Sequence, residues 1–377
     1  MTESASKRGF VPHLFAPMAA GDGWLVRIKP PGGQISAASA RAVAEAACTF
    51  GNGFLQITQR ANLQLRGLKR PEQAAPLAAR MQSLGLASPT PAQERLRNIL
   101  VSPLSGDDPS IAGEPLAVAA ALAARMAEVP ALARLPPKFG FVVDGGGILP
   151  LSGARAEVRI ELDAEGGTLR CRVSAQGETI LCDIAEASAA ACAFAARSAS
   201  EQPERRASAR AAGWGEFLPP QRAVGFLAYA GTEHGAFGLA PAFGVLTAEM
   251  LAHAADLAGR FADGRLRLSP WRSILLGGVR AAEQAALAER AGAAGFIVDP
   301  SDRRLALITC IGAPFCAQAR MPTLAEAAHL AASLPPGAAL VHLSGCPKGC
   351  AAPSLPPLVW GEGKPTLLES PAAPWPG

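Results

Sequence analysis

The sequence contains few aromatic residues and no long uninterrupted hydrophobic segment. Phe, Trp and Tyr make up 5% of its 377 residues, and Tyr occurs once. No run of about 18 apolar residues is present, so the sequence predicts no membrane-spanning helix. The N-terminal segment also lacks the apolar core of a secretory signal. We therefore expect a cytoplasmic protein without a membrane partner.

Charge of one sign is not in large excess either. The chain has 35 Lys and Arg against 31 Asp and Glu, a formal net charge of +4. So small an imbalance argues against the broad basic surface that is typical of nucleic-acid-binding proteins. Basic residues therefore matter for function only where they converge locally, and no nucleic-acid partner is expected.

Cysteines are too few for a disulfide-stabilised scaffold in a chain of this length, yet half of them cluster. Of the eight, Cys310 and Cys316 lie in CIGAPFC, and Cys346 and Cys350 lie in GCPKGC. Each pair follows an apolar segment typical of a buried strand. Four thiolates on two tight loops favour a 4Fe–4S cluster. Zinc, whose structural knuckles use a shorter spacing than C-x5-C, and unligated thiols are the alternatives.

The sequence contains an internal repeat, because residues 30–68 and 241–279 align without a gap. Each copy has an N-capping residue, Ser36 or Thr247, followed by an Ala-rich helix. A Gly-containing turn then ends the helix, and two predicted strands follow. The repeat indicates an ancient duplication of one unit.

The similarity between the copies extends beyond this segment. LPPKFGFVVDGG at 135–146 and LPPGAALVHLSG at 334–345 each end a helical stretch and begin a buried strand. We predict an α+β fold built from two copies of one unit, at about 24–150 and 225–350, with further strands in 155–184. The duplication predicts a pseudo-twofold axis with a cleft between the copies.

The segment FLQITQRANLQLRGL, residues 54–68, alternates with the period of a β-strand. One face is apolar and consists of Leu55, Ile57, Leu63 and Leu65. The other face is polar and consists of Gln56, Thr58, Arg60, Asn62, Gln64 and Arg66. Two Arg without a carboxylate favour an anionic ligand, and the solvated face of a half-buried sheet is the alternative.

Two further basic residues each precede a predicted strand: Arg97 in RLRNILVSP and Lys138 in LPPKFGF. Arg binds a carboxylate through a planar, bidentate fork. If several such side chains converge on one ligand, that ligand must carry several carboxylates or phosphates. An ordinary surface position is the alternative for each residue.

The segments ITQRANLQLRGL, RNILVSPLSG and LPPKFGF and the final cysteine pairs together resemble the nitrite and sulfite reductase superfamily over nearly the whole chain. The resemblance implies a duplicated α+β fold with a 4Fe–4S cluster beside a tetrapyrrole whose carboxylates are held by basic residues. On this sequence, the cluster ligands fall on Cys310, Cys316, Cys346 and Cys350. The carboxylate-binding positions fall on Arg60, Arg97 and Lys138, with Thr58, Asn62 and Arg66 on the same strand face as Arg60.

The resemblance also implies four parts of the chain. We expect a first ferredoxin-like half-domain at 1–75 and a tetrapyrrole-binding α/β domain at 76–212. A second ferredoxin-like half-domain would follow at 213–285, and an α/β domain carrying the cluster cysteines at 286–377.

Three departures from the reductases indicate one branch of this superfamily. The chain is short, Gly140 replaces a second Lys, and Lys348 replaces the usual Asn of G-C-P-N-G-C. These features resemble the precorrin-3B synthase branch, which implies an O₂-dependent oxidoreductase, a monooxygenase, of aerobic cobalamin biosynthesis. Its reaction hydroxylates carbon 20 of precorrin-3A and closes a γ-lactone, consuming O₂ and two reducing equivalents.

Two alternatives stay open at this point. The first is a sirohaem-dependent nitrite or sulfite reductase, in which Cys350 would also ligate the sirohaem iron. The second is a non-catalytic tetrapyrrole carrier that has kept the fold.

The branch is also associated with a mononuclear non-haem iron. His234, in the loop GTEHGAFG, is the first candidate for binding it or for acid–base catalysis, and His342 is the next. No predicted strand is followed by a glycine-rich nucleotide-binding motif. The expected electron donor is therefore a separate NAD(P)H-dependent reductase or a ferredoxin.

Overall fold

The fold is seen in a computed structural model, which describes residues 11–165, 168–200, 219–347, 349, 351, 357–361 and 364–367. Its helices, in chain order, are α1 Ala37–Phe50, α2 Ala74–Ser83, α3 Pro91–Leu96, α4 Pro115–Glu128, α5 Ile184–Ser200, α6 Ala248–Phe261, α7 Gln284–Ala293 and α8 Thr323–Ser333. None of the helices in this part of the chain is long and apolar enough to span a lipid bilayer.

The strands follow the same numbering. Those of the first part are β1 Met18–Ala20, β2 Gly23–Ile28, β3 Gln34–Ser36, β4 Phe54–Ile57, β5 Leu63–Leu68, β6 Ile99–Val101, β7 Phe141–Asp144, β8 Val158–Glu165, β9 Thr168–Ala175 and β10 Glu178–Cys182. Those of the second part are β11 Gly225–Ala228, β12 His234–Leu239, β13 Val245–Thr247, β14 Arg265–Leu268, β15 Ile274–Arg280, β16 Leu307–Thr309, β17 Val341–Ser344, β18 Pro357–Gly361 and β19 Lys364–Leu367.

The sequence repeat is a structural repeat. The run β2–β3–α1–β4–β5–α2 recurs as β12–β13–α6–β14–β15–α7. Both long helices begin where the sequence predicts: Ser36 Oγ accepts the N–H of Ser39 (3.1 Å), and Thr247 Oγ1 accepts the N–H of Met250 (3.1 Å). Each hydroxyl satisfies one of the N–H groups that a helix leaves without a partner at its start.

The two copies exchange a short strand. The first sheet has the order β1–β2–β5–β4–β13, and the second has the order β11–β12–β15–β14–β3. Thus β13 of the second copy pairs with β4 of the first, and β3 of the first pairs with β14 of the second. Helices α1 and α6 pack against each other, and the two copies share one hydrophobic core.

Two further sheets follow the ferredoxin-like copies along the chain. In one, β6, β7 and β8 are parallel, β9 is antiparallel to β8, and β10 forms the edge. In the other, β16, β17 and β18 are parallel, and β19 is antiparallel to β18. The strands predicted within 155–184 are β8, β9 and β10, and Gly166 and Gly167 between β8 and β9 lie outside the described residues.

The predicted four-part division of the chain stays a prediction. Helices α2 and α7 run across its boundaries at 75 and 285. The boundary at 212 lies outside the described residues.

Candidate functional site

The β4–β5 hairpin has the two faces that the sequence predicts. Leu55, Ile57, Leu63 and Leu65 are at most 2% exposed and lie in the shared core. The opposite face is not an open solvent surface, because Asn62 and Arg66 are buried and its other polar residues are half-buried. The structure therefore disfavours the solvated face that the sequence left open.

The turn of this hairpin presents Arg60. Thr58 Oγ1 accepts the backbone N–H groups of Arg60 and Asn62, each at 3.3 Å, and Ala61 between them has a φ of 51°. Thr58 thus shapes a tight turn in which one residue adopts the left-handed region. This turn fixes the direction in which Arg60 leaves the sheet.

Arg60 meets the LPPKFGF segment. Its Nη2 donates to the carbonyl oxygen of Lys138 at 2.6 Å. A Cβ added to Gly140 would lie 3.3 Å from Nη1 of Arg60, so the backbone here runs directly against the guanidinium. Arg60 and Asn62 line one pocket together with Asn98 and Arg155. The structure therefore brings together the hairpin turn and the Lys138 segment.

Two cations that were missed in the sequence belong to the same sheet face: half-buried Arg27 on β2 and buried Lys29, which directly follows β2. Arg27 pairs in register with Gln64 of β5, and Lys29 follows two positions later. Lys29 is 3% exposed, and its Nζ donates to the carbonyl oxygen of Glu94 (2.7 Å) and to Oδ1 of Asn98 (2.8 Å). The alternation of LVRIK is the signal that would have revealed them, had it been read together with the β4–β5 pattern.

The neighbouring cations make it less favourable for Lys29 and Arg27 to carry a positive charge. Burial lowers the pKa of Lys29 to about 7, and Arg27, Arg97 and Arg60 add to the shift while Glu94 opposes it. Burial and Arg60 also lower the pKa of Arg27, to about 10. The Nε of Arg27 is buried and has no hydrogen-bond partner among the described residues. Such crowding of like charge indicates a place where an anion would be stabilised.

Arg97 is already paired with an acid. Its Nη2 lies 2.8 Å from Oε2 of Glu94, which is fully buried, and its Nε donates to Oγ of Ser88 at 2.9 Å. Glu94 also carries the carbonyl that receives Lys29. Arg97 therefore helps to hold the segment beneath the cation cluster, and its predicted contact with a carboxylate ligand stays a prediction.

Arg66 is paired as well, and it reaches the cysteine loop. Its side chain is 2% exposed and lies 2.7 Å from Oδ1 of Asp22. The same Nη2 donates to the carbonyl oxygen of Phe315 at 2.8 Å, and the N–H of Gly21 donates to that carbonyl at 3.1 Å. Phe315 lies between Cys310 and Cys316. The first half-domain thus anchors the C-x5-C loop.

The two cysteine segments meet at one edge of the fourth sheet. Strands β16 and β17 are adjacent and parallel, so the loops that follow them leave the sheet side by side. The N–H of Gly345 donates to Sγ of Cys310 at 3.3 Å, and Oγ1 of Thr323 donates to the carbonyl oxygen of Cys310 at 2.7 Å. Cys350 and Lys348 lie outside the described residues.

The donor atoms on the two cysteine loops are of the type that an iron–sulfur cluster requires. In the described part of the chain, no three His, Cys, Asp or Glu side chains are grouped closely enough to hold one ion. The donors are thiols on two loops, and Cys310 accepts a backbone N–H, as cluster sulfurs commonly do. Because Gly345 has no side chain, its backbone can lie close to Ala319, where an added Cβ would be only 2.8 Å from Cβ of Ala319.

Comparison with known proteins agrees with this architecture. A precorrin-3B synthase from Sinorhizobium sp is 32% identical, over 93% of this chain and 80% of the relative. The chain belongs to the precorrin-3B synthase family. The nitrite/sulfite reductase ferredoxin-like half domain matches residues 16–84 and 230–294, which are the two structural copies.

More distant relatives of the precorrin-3B synthase family also match. A ferredoxin–nitrite reductase from Leptolyngbya laminosa is 34% identical over only 25% of this chain and 18% of the relative. The Mycobacterium tuberculosis NirA protein has the same fold, with a TM-score of 0.66 at 18% identity, covering 87% of this chain and 69% of NirA. This chain therefore has the fold of the nitrite and sulfite reductase superfamily, as the sequence predicted.

The predicted histidines lie in very different environments. His234 is exposed at the start of β12, and the hydrogen bonds of its backbone are local, to Thr232 and Tyr229. His342 is 2% exposed on β17, between β16 and β18. A role of either one in binding iron stays a prediction for this member of the precorrin-3B synthase family.

Proposed function

We propose that the protein oxidises precorrin-3A to precorrin-3B in aerobic cobalamin biosynthesis. The reaction hydroxylates carbon 20 and closes a γ-lactone with the ring A acetate. One oxygen atom of O₂ enters the product and the other leaves as water, with two electrons and two protons consumed. The observation that carries the proposal is the convergence of Arg27, Lys29 and Arg60 on one sheet face, in a chain of the precorrin-3B synthase family.

Precorrin-3A suits this face because it carries many acetate and propionate groups and no metal. Arg60 and Lys138 are proposed to bind its carboxylates directly, each charged hydrogen bond contributing about 1.5–3 kcal/mol. Asn62 adds an amide to the pocket, and Thr58 holds the turn. Arg97 and Arg66 belong to the proposed set through the segments that they anchor, because both have buried acid partners.

The ring is proposed to lie in a cleft between the two copies, about a pseudo-twofold axis. The reciprocal exchange of β3 and β13 supports such an axis. The Arg66–Phe315 hydrogen bond links the cation face to the C-x5-C loop, which supports a ring and a cluster on neighbouring surfaces.

Cys310, Cys316, Cys346 and Cys350 are proposed to hold a 4Fe–4S cluster. When bound, the cluster supplies electrons one at a time to the site. The chain's own residues orient the ring through its carboxylates and keep the two cysteine loops together. A separate NAD(P)H-dependent reductase or a ferredoxin is the proposed donor. The described residues around His234 and His342 form no group of three metal ligands, so the proposal assigns these histidines no mononuclear non-haem iron.

The decisive experiment is anaerobic purification followed by turnover. We expect a brown protein with iron and acid-labile sulfide, without the Soret and red bands of sirohaem. Adding precorrin-3A, a reductant and isotopically labelled O₂ should give a hydroxylated lactone that contains one labelled oxygen. Stoichiometric sirohaem with reduction of sulfite or nitrite would establish the reductase alternative instead. Tight binding of precorrin-3A without turnover would indicate a carrier.

A further inference from the structure

The β14–β15 turn of the second copy contains an arginine that has no counterpart in the first. Arg272 has a φ of 63°, and Ala61, the matching residue of the β4–β5 turn, has a φ of 51°. The two turns therefore share one backbone conformation. The residue before it is Arg60 in the first copy and the buried Trp271 in the second. Each turn thus carries one arginine, and the two arginines occupy positions that differ by one residue.

From this position the guanidinium of Arg272 reaches both cysteine loops. Nη1 of Arg272 donates to the carbonyl oxygen of Thr309 at 3.0 Å, and Nη2 donates to that of Ala351 at 3.0 Å. Thr309 directly precedes Cys310, and Ala351 directly follows Cys350. One planar fork thus joins the backbone beside the first of the four cysteines to the backbone beside the last.

The chain also makes room for this side chain. Gly244, with a φ of +74°, lies beneath Arg272, and a Cβ there would lie 2.7 Å from Cδ of the arginine. The matching glycine of the first copy is Gly33, with a φ of +70°, where an added Cβ would lie 3.4 Å from Cβ of Ala61. The equivalent glycines therefore lie against an arginine in the second copy and against the methyl group of Ala61 in the first.

The geometry points to Arg272 as a positioning residue that fixes the distance between the two cysteine loops and thereby holds the iron–sulfur cluster. This inference rests on the proposed function, because it requires the cluster. Two carbonyls from separate loops need a donor with two fixed N–H directions, which Arg has and Lys lacks. The positive charge also favours the more negative, reduced form of the cluster.

Substitution of Arg272 tests the inference through the cluster itself. In R272Q we expect the cluster to be lost to an iron chelator about 10- to 100-fold faster than in the native protein, because losing a group that orients metal ligands typically weakens metal binding by about that factor. The midpoint potential of the remaining cluster should become more negative, because a positive charge is removed. R272K should keep the potential near the native value while losing the cluster at an intermediate rate. The exposed Arg265 offers the control R265Q, which should change neither quantity.

A second pair of variants displaces the arginine without changing its charge. G244A and G33A place the same strain on a left-handed residue, but only G244A pushes against Arg272. We expect G244A to release iron faster than G33A, and thermal unfolding of the two cluster-free proteins measures any general loss of stability separately.

The outcomes separate the inference from the proposed function. A native protein without acid-labile sulfide would overturn the proposed cluster, and the inference with it. A native cluster that R272Q holds with unchanged release rate and potential would overturn the inference alone. Equal iron release from G244A and G33A would also contradict it.

Discussion

The two ferredoxin-like copies have one backbone and different chemistry. In the first, Arg27, Lys29 and Arg60 make a cationic face beside the Lys138 segment. At the positions that match Arg27 and Lys29, the second copy has Gly238 and Ala240. The two copies thus share a backbone, and single side chains give the first its cationic face and give the second Arg272, which contacts both cysteine loops.

The difference between the copies depends on position as much as on residue type. Neighbouring residues of a tight turn leave the backbone in different directions, so an arginine one position further along has different surroundings. Arg60 reaches the carbonyl of Lys138, whereas Arg272 reaches the carbonyls beside the cysteine pairs. Substitutions can therefore affect the site residues of one copy without those of the other. The variants below are ordered by the size of the expected effect.

The largest effect is expected from a cluster cysteine. Replacing Cys310 by Ser should abolish the intact cluster, because it removes one of the four thiolates that are proposed to ligate it. Iron and sulfide analysis with electron paramagnetic resonance measures the loss. Cys48, exposed in the first copy, provides the control Cys48→Ser with full cluster content. A complete cluster in Cys310→Ser would refute its assignment as a ligand.

The next effect concerns the link between the copies. Replacing Arg66 by Met leaves Asp22 buried without its cation, and breaking such a buried pair costs about 3–5 kcal/mol. Urea unfolding should show this loss, together with a more labile cluster because the contact with Phe315 is gone. The exposed pair of Arg41 and Asp256 is the matched control, and Arg41→Met should cost less than about 1 kcal/mol. Similar losses in the two variants would contradict the interpretation.

The anion site itself should give an intermediate effect. Replacing Arg60 by Ala should weaken binding of precorrin-3A by about 1.5–3 kcal/mol, roughly 10- to 150-fold in Kd. The cluster should survive, since its cysteines follow strands of the other copy. Titration by absorbance or fluorescence measures Kd, and the half-buried Arg80, which pairs with the exposed Glu45, provides the control Arg80→Ala. Unchanged affinity in Arg60→Ala would remove the main support for the proposed binding face.

Lys29 predicts a dependence of stability on pH. Its folded-state pKa is about 7, against 10.5 as its ordinary value. Between these values the unfolded chain binds a proton that the folded chain does not, so the free energy of unfolding should rise with pH above about 7. Urea unfolding at several pH values between about 7 and 9 measures the slope. Lys29→Met should flatten it, and an unchanged slope would mean that Lys29 stays charged.

How far the sequence predicts this molecule depends on the range of the interactions involved. The hairpin faces and the helix starts at Ser36 and Thr247 follow from local alternation and capping, so pattern alone finds them. The exchange of β3 and β13 does not, because three-residue strands have no pattern of their own and acquire their register from a distant partner. The acid partners of Arg66 and Arg97 were missed for a similar reason. Asp22 lies far from Arg66 in sequence, and the burial of Glu94 is tertiary.

The smallest expected effect returns to the comparison of the copies. The LPP segment of the first copy continues to Gly140, and that of the second continues to Ala339 at the matching position. A Cβ at Gly140 would approach Nη1 of Arg60 to 3.3 Å, which requires the guanidinium to move by a few tenths of an ångström. Gly140→Ala should therefore weaken precorrin-3A binding only slightly, by about 0.5 kcal/mol or roughly 2-fold.

The matched control for Gly140→Ala is Gly292→Ala, since an added Cβ at this residue of α7 would meet no atom within 4 Å. It should leave binding unchanged and slightly stabilise the helix, because Ala has the higher helix propensity. Titration with precorrin-3A compares the two variants in the same assay. A loss in Gly140→Ala as large as in Arg60→Ala would mean that the site tolerates no displacement of the guanidinium. An unchanged Kd would instead show that Arg60 can adjust, and that contact with its fork depends on charge more than on fixed direction.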